Sequence, residues 1–118
     1  MSQGHTVTTA QSNDHVEIRV DGEVIAKSDR PVVLDETGLP RRYYLPRDDV
    51  RMDLFRTTTF QTVCPFKGDA SYLPLDLNGQ SHDGIVWSYD HPIHGAAEIK
   101  DLLCFSPDRV EMTVTPTA

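Results

Sequence analysis

A chain of 118 residues holds one core's worth of apolar side chains and not two. Its 11 lysines and arginines against 18 aspartates and glutamates leave a formal charge of −7. That charge repels a phosphate backbone and disfavours sequence-independent nucleic-acid binding unless the cations gather on one face. Arg41, Arg42, Arg47 and Arg51 do lie close together, but Asp48, Asp49 and Asp53 interrupt them, which reads as a charge-balanced, solvated surface. No stretch approaches the roughly 20 apolar residues of a membrane span, and residues 1–5 are polar. A soluble, cytoplasmic protein is expected, with neither nucleic acid nor membrane among its partners. Two cysteines, Cys64 and Cys104, have the spacing of neither a zinc site nor a disulfide scaffold, so both are expected as reduced thiols.

In chain order, residues 1–13 are rich in Thr, Ser and Gln without periodicity and read as a disordered leader. A single β-rich domain is expected over 14–115. Val16, Ile18 and Val20 alternate with Glu17 and Arg19, and Asp21-Gly22 supplies two residues tolerant of positive φ before Val24 and Ile25, which predicts a hairpin. Val32, Val33 and Leu34 form a short apolar run, and 41–45 reads as an aromatic strand ending at Pro46. Pro46 followed by Arg47-Asp48-Asp49 suggests a short helix that stops near Leu54. The β-branched run 57–63 predicts a strand leading into Cys64-Pro65. Asn78-Gly79 predicts a second hairpin, with 85–89 as its returning strand. Ala96, Ala97, Ile99, Leu102 and Leu103 have roughly helical spacing, which predicts a second short helix over 95–103. A strand at Cys104-Phe105 and an alternating strand through Val110, Met112 and Val114 complete the pattern. The expected fold is mainly β: a small antiparallel β sandwich or partly open barrel with two short helices.

The densest cluster of chemistry is Cys64-Pro65-Phe66-Lys67-Gly68-Asp69-Ala70-Ser71-Tyr72. Lys67 is three residues from Cys64, and an adjacent ammonium lowers a thiol's pKa and makes it nucleophilic. Cys64 and Lys67 are therefore the candidate catalytic residues, with burial of the cysteine as a small apolar side chain the competing explanation. The second cysteine of a Cys-x-x-Cys redox motif is missing. Lys67-Gly68 lacks the flanking residues of a phosphate-binding P-loop. Tyr44, Tyr72, Trp87 and Tyr89 sit on predicted strands, where residues two apart share a face, and can line a pocket floor or simply fill the core. Asp90-His91-Pro92-Ile93-His94 and His82-Asp83 carry donors suited to a divalent metal, but no full ligand set is assignable.

The segments Tyr44-Leu45-Pro46-Arg47-Asp48-Asp49-Val50-Arg51, Cys64 through Tyr72, Val86-Trp87-Ser88-Tyr89 and Phe105-Ser106-Pro107-Asp108-Arg109-Val110 together resemble the uncharacterised family known as domain of unknown function 427. The resemblance runs from about His15 to Met112. It implies a stand-alone β-rich domain, and the family carries a nucleotidyltransferase-like label. Nucleotidyl transfer needs paired carboxylates for magnesium. Here Asp-x-Asp is absent, and Asp49 with Asp53, four apart, is the only substitute.

The expectation is a small-molecule-binding domain whose pocket gathers Tyr44, Arg47, Asp49, Arg51, Cys64, Lys67, Tyr72, Trp87 and Tyr89. Cations would hold an anionic group and aromatics a ring, while the cofactor is unknown and no metal is assigned. The alternative is a non-catalytic interaction module that offers an exposed strand edge to a partner chain.

Overall fold

Alternating apolar residues need a turn that reverses the chain without splaying the strands, and two such turns organise this protein. The computed structural model describes residues 6–58, 61–64, 67–92 and 96–116, the Cys64 side chain excepted. Asp21 and Gly22 adopt φ of 51° and 81°, and Asn78 and Gly79 adopt 53° and 77°. Both pairs are the left-handed conformations that match the twist of paired strands.

The strands are β1 (Val7–Gln11), β2 (His15–Val20), β3 (Glu23–Ser28), β4 (Val32–Glu36), β5 (Arg42–Leu45), β6 (Gln61–Cys64), β7 (Gly68–Tyr72), β8 (Leu75–Leu77), β9 (Gln80–His82), β10 (Val86–Tyr89), β11 (Leu103–Phe105) and β12 (Glu111–Thr115). They form a seven-stranded antiparallel sheet ordered β1-β4-β5-β11-β10-β7-β6, a three-stranded sheet β12-β2-β3 and the hairpin β8-β9. The architecture is thus mainly β, in packed antiparallel sheets and without a closed barrel.

Side-chain alternation splits the large sheet into two faces. Leu45, Val86, Leu103 and Phe105 point to one side, where they pack with Val16, Ile18, Val20 and Ile25 of the small sheet and Leu75 and Leu77 of β8. Val32, Leu34, Tyr44, Ala70, Tyr89 and Cys104 point to the other side, against Ala96 and Ile99. The Thr9 hydroxyl of β1 donates to the Glu98 carboxylate, which fastens the 96–99 segment over this second face.

That second face is concave. In strand order β4 and β7 are separated by β5, β11 and β10, so a flat sheet would hold them about 19 Å apart, four spacings of about 4.8 Å. Lys67 nevertheless leaves the start of β7 and places its Nζ 2.6 Å from Oε1 of Glu36 on β4. Only a strongly curled sheet brings those side chains together.

Several expectations are corrected. Val7–Gln11, read as part of an unstructured leader, pairs with β4 from Val7↔Glu36 to Gln11↔Val32. The return strand after Asn78-Gly79 is β9, while Val86–Tyr89 pairs instead with β7 and β11. Both predicted helices reduce to single 3-10 turns, at Arg47–Asp49, Met52–Leu54 and Ala97–Ile99. Isolated bridges Ala26↔Val50, Phe55↔Leu75 and Tyr89↔Lys100 hold the adjoining backbone extended. Continued helix would break those pairings. Within the predicted strand 57–63, positions 59 and 60 lie outside the described residues, as do Pro65, Phe66, His94 and Gly95. No helix among the described residues is long and apolar enough to cross a membrane.

Candidate functional site

Register assembles the site. Val32 stands opposite Tyr44, Tyr44 opposite Cys104, Cys104 opposite Trp87 and Trp87 opposite Tyr72, a continuous row across β4, β5, β11, β10 and β7 on the concave face. Two residues further along β10, Tyr89 faces the same way. Its ring centroid lies 6.4 Å from that of Tyr44, and those of Tyr72 and Trp87 are 6.1 Å apart, both pairs tilted. The Arg42 guanidinium sits 5.7 Å from the Trp87 ring centroid, and Lys67 Nζ 6.0 Å from that of Tyr89, distances at which a ring quadrupole attracts a cation.

Tyr44, at the floor of this basin, has no exposed surface. Its hydroxyl makes no hydrogen bond of full geometry among the described residues; its polar neighbours are the Trp87 indole and the Cys104 thiol. Burial, with the Cys104 thiol and Tyr89 beside it, holds the phenol far above its ordinary ionisation range. Cys104 is equally buried, and its thiol is pushed up to about 12 by desolvation, against the opposing pull of Arg42, Tyr44 and Lys67. A thiol so held is protonated at neutral pH and is no nucleophile.

Lys67 and Glu36 form a buried pair, their side chains 11% and 4% exposed. Removing both charges from water is costly, and the 2.6 Å contact offsets that cost only while both partners remain. The pair closes the basin between β4 and β7. Trp87 and Tyr72 are half-buried and form its accessible side.

The remaining expected residues lie elsewhere. Arg47 donates from Nε to the Asp101 carbonyl at 2.8 Å and reaches Ser88 Oγ at 3.4 Å, on the opposite side of β10 from Trp87. Asp49 accepts from the Ser28 hydroxyl at 2.7 Å and from Arg30 Nε at 3.2 Å, which ties the 47–49 turn to the end of β3. Arg51 is exposed and faces Asp53 at 3.9 Å. Asp49 and Asp53 belong to different 3-10 turns, so their spacing does not place them on one helical face. Cys64 ends β6 opposite Gly68, and its side chain lies outside the described residues. His91 is exposed, and His82 Nε2 sits 3.5 Å from Asp21. No group of three metal-ligating side chains occurs among the described residues.

The concave face therefore gathers Tyr44, Lys67, Tyr72, Trp87 and Tyr89, and it excludes Arg47, Asp49 and Arg51. It adds Glu36, Arg42 and Cys104, which sequence reasoning did not place there. A signal existed for two of them: Glu36 follows Val32 and Leu34, and Arg42 precedes Tyr44, at the two-residue period that shares a strand face.

The chain belongs to a family described as a domain of unknown function (DUF427) with a nucleotidyltransferase-style label, which matches residues 8–116. No curated protein matches it.

Proposed function

We propose that this family member binds a small molecule with a flat ring and an anionic group on the concave face of its large sheet. The observation that carries the reading is the Tyr44 hydroxyl, buried and without a hydrogen bond of full geometry among the described residues, with only the Trp87 indole and the Cys104 thiol as weak polar neighbours. Leaving such a donor poorly met costs about 1–3 kcal/mol, a cost that a ligand accepting its hydrogen bond would remove. Arg42 reaches the same row with no carboxylate partner among the described residues, and with Lys67 it raises the positive potential felt by Cys104. Trp87 and Tyr72, half-buried and in contact, provide a surface against which a ring can stack.

Binding, rather than chemistry, is what this arrangement supports. The Lys67 ammonium is engaged by Glu36, and the Cys104 thiol is held protonated. The nucleotidyltransferase-style label gains nothing from Asp49 and Asp53: Asp49 is committed to Ser28 and Arg30, and Asp53, exposed beside Arg51, belongs to a different 3-10 turn.

Tyr44→Phe tests the reading because it separates binding from folding. The variant is expected to be at least as stable as the parent, since it deletes a poorly met buried donor. Benzoate, a nucleoside monophosphate and inorganic phosphate, each at millimolar concentration, serve as probes. An aromatic anion is expected to raise the melting temperature of the parent by mass action and to do so much less in the variant. Absence of any shift in the parent, or an equal shift in Tyr44→Phe, rejects the proposal.

A further inference from the structure

Bordering the end of the aromatic row at Tyr72, and reaching to the Ser71 and Ser88 side of β7 and β10, lies a cleft of about 440 Å³ lined also by Arg47, Thr57, Thr58, Gln61, Leu73 and Asp90. Its walls are more polar than those of the basin: hydroxyls and an amide beside the single ring of Tyr72, with one fixed cation and one carboxylate. Ser88 is fully buried and faces Arg47 at 3.4 Å, so the guanidinium lies in the deep part. Asp90, two residues beyond Ser88, is exposed and stands at the mouth.

Arg47 is held in place while keeping donors to spare. Of a guanidinium's five N–H donors, Nε is committed to the Asp101 carbonyl and one on Nη2 is directed at Ser88. Nη1 has no partner among the described residues. A planar fork fixed at its Nε edge is well suited to receive a carboxylate. Asp90 makes no hydrogen bond or ion pair among the described residues, so its carboxylate is available to a cation. Asp90 follows the last residue of β10, and its carboxylate and the Arg47 guanidinium line the same cleft, where one small molecule carrying opposite charges on a single carbon can meet both. The Gln61 amide, already donating to Ser71 Oγ at 2.9 Å, and the Thr57 hydroxyl leave polar contacts for the rest of the ligand.

We infer that this cleft is a second binding site, for a free α-amino acid whose carboxylate meets Arg47 and whose ammonium meets Asp90. Leu73 supplies the apolar wall, and the cleft's volume accommodates a side chain of moderate size. A simple anion would leave Asp90 unmatched, and a simple cation would leave Arg47 unmatched. Only a zwitterion satisfies both.

Isothermal titration of the full chain with glycine, L-serine and L-leucine, each alongside its N-acetyl and methyl-ester forms, tests this. At least one free amino acid is expected to bind, with each charge-deleted form weaker by about tenfold or more, equivalent to about 1.4 kcal/mol. Asp90→Asn replaces an exposed side chain and preserves the fold; it should abolish the preference for the free amine over the N-acetyl form. Tyr44→Phe should leave this binding unchanged, which separates the cleft from the basin. Equal binding of the N-acetyl or ester form, an equal response to acetate, an unaltered preference in Asp90→Asn, or no heat from any amino acid at millimolar concentration overturns the inference.

Discussion

The two faces of the large sheet are built from the same strands yet solve different problems. On β11, Leu103 and Phe105 enter a core of aliphatic neighbours, while Cys104 between them joins two tyrosines, a tryptophan and two nearby cations. The first face is ordinary hydrophobic burial, in which each side chain gains by leaving water. The second buries an ion pair, a protonated thiol and a poorly partnered phenol, groups that gain little from leaving water. Maintaining such groups in the interior is a cost to stability, and this is the face that we propose for binding.

The largest effect expected from breaking this contrast compares Phe105 with Lys67. Phe105→Ala empties the packed face and should cost about 3–5 kcal/mol through lost burial and a residual cavity. Lys67→Met strands Glu36 without its partner and should cost about 3 kcal/mol. The double variant Lys67→Met with Glu36→Leu is expected to regain most of that loss, because apolar residues of similar volume replace the pair. Urea denaturation measures all three. A double variant no more stable than Lys67→Met alone would show that the ion pair is not what holds this edge of the basin.

A smaller, pH-dependent effect belongs to Cys104. Its thiol titrates at about 12 in the fold against an ordinary value of 9.0. The unfolded chain therefore releases this proton first. The contribution is fully present below pH 9.0, declines as pH rises towards about 12 and then levels off. Cys104→Ala should flatten the alkaline loss of stability, read as denaturation midpoints at graded alkaline pH, and a thiol reagent should reach Cys104 only on unfolding. The smallest expected effect is at Arg51, whose exposed, loose pairing with Asp53 predicts a change within about 0.5 kcal/mol on Arg51→Ala. A loss several times larger would give this side of the molecule a role that its geometry does not suggest.

Features legible in the sequence were those settled over a few neighbouring residues. Asp21-Gly22 and Asn78-Gly79 announced their turns because few other pairs adopt positive φ at low cost. The alternation of Val16, Ile18 and Val20 announced a strand with one buried face, and the structure buries all three. The helix signal at Pro46-Arg47-Asp48-Asp49 was equally local, but bridges to Ala26 and Leu75 outweigh it within a turn. The strand at Val7–Gln11 was illegible for the converse reason. Its Thr-rich composition carries little apolar drive, and its order comes from backbone pairing with β4, far along the chain.

The sequence by itself determined the strand-rich character of the chain, its principal turns and which residues share each strand's face, because these follow from steric limits on φ and a side-chain period of two. It also marked Tyr44, Arg47, Asp49, Arg51, Cys64, Lys67, Tyr72, Trp87 and Tyr89 as one candidate set. Only the tertiary structure decided that Tyr44, Lys67, Tyr72, Trp87 and Tyr89 converge while Arg47, Asp49 and Arg51 point elsewhere. Convergence depends on strand order and sheet curl, and both arise from contacts among segments distant in the chain, such as Glu36 with Lys67.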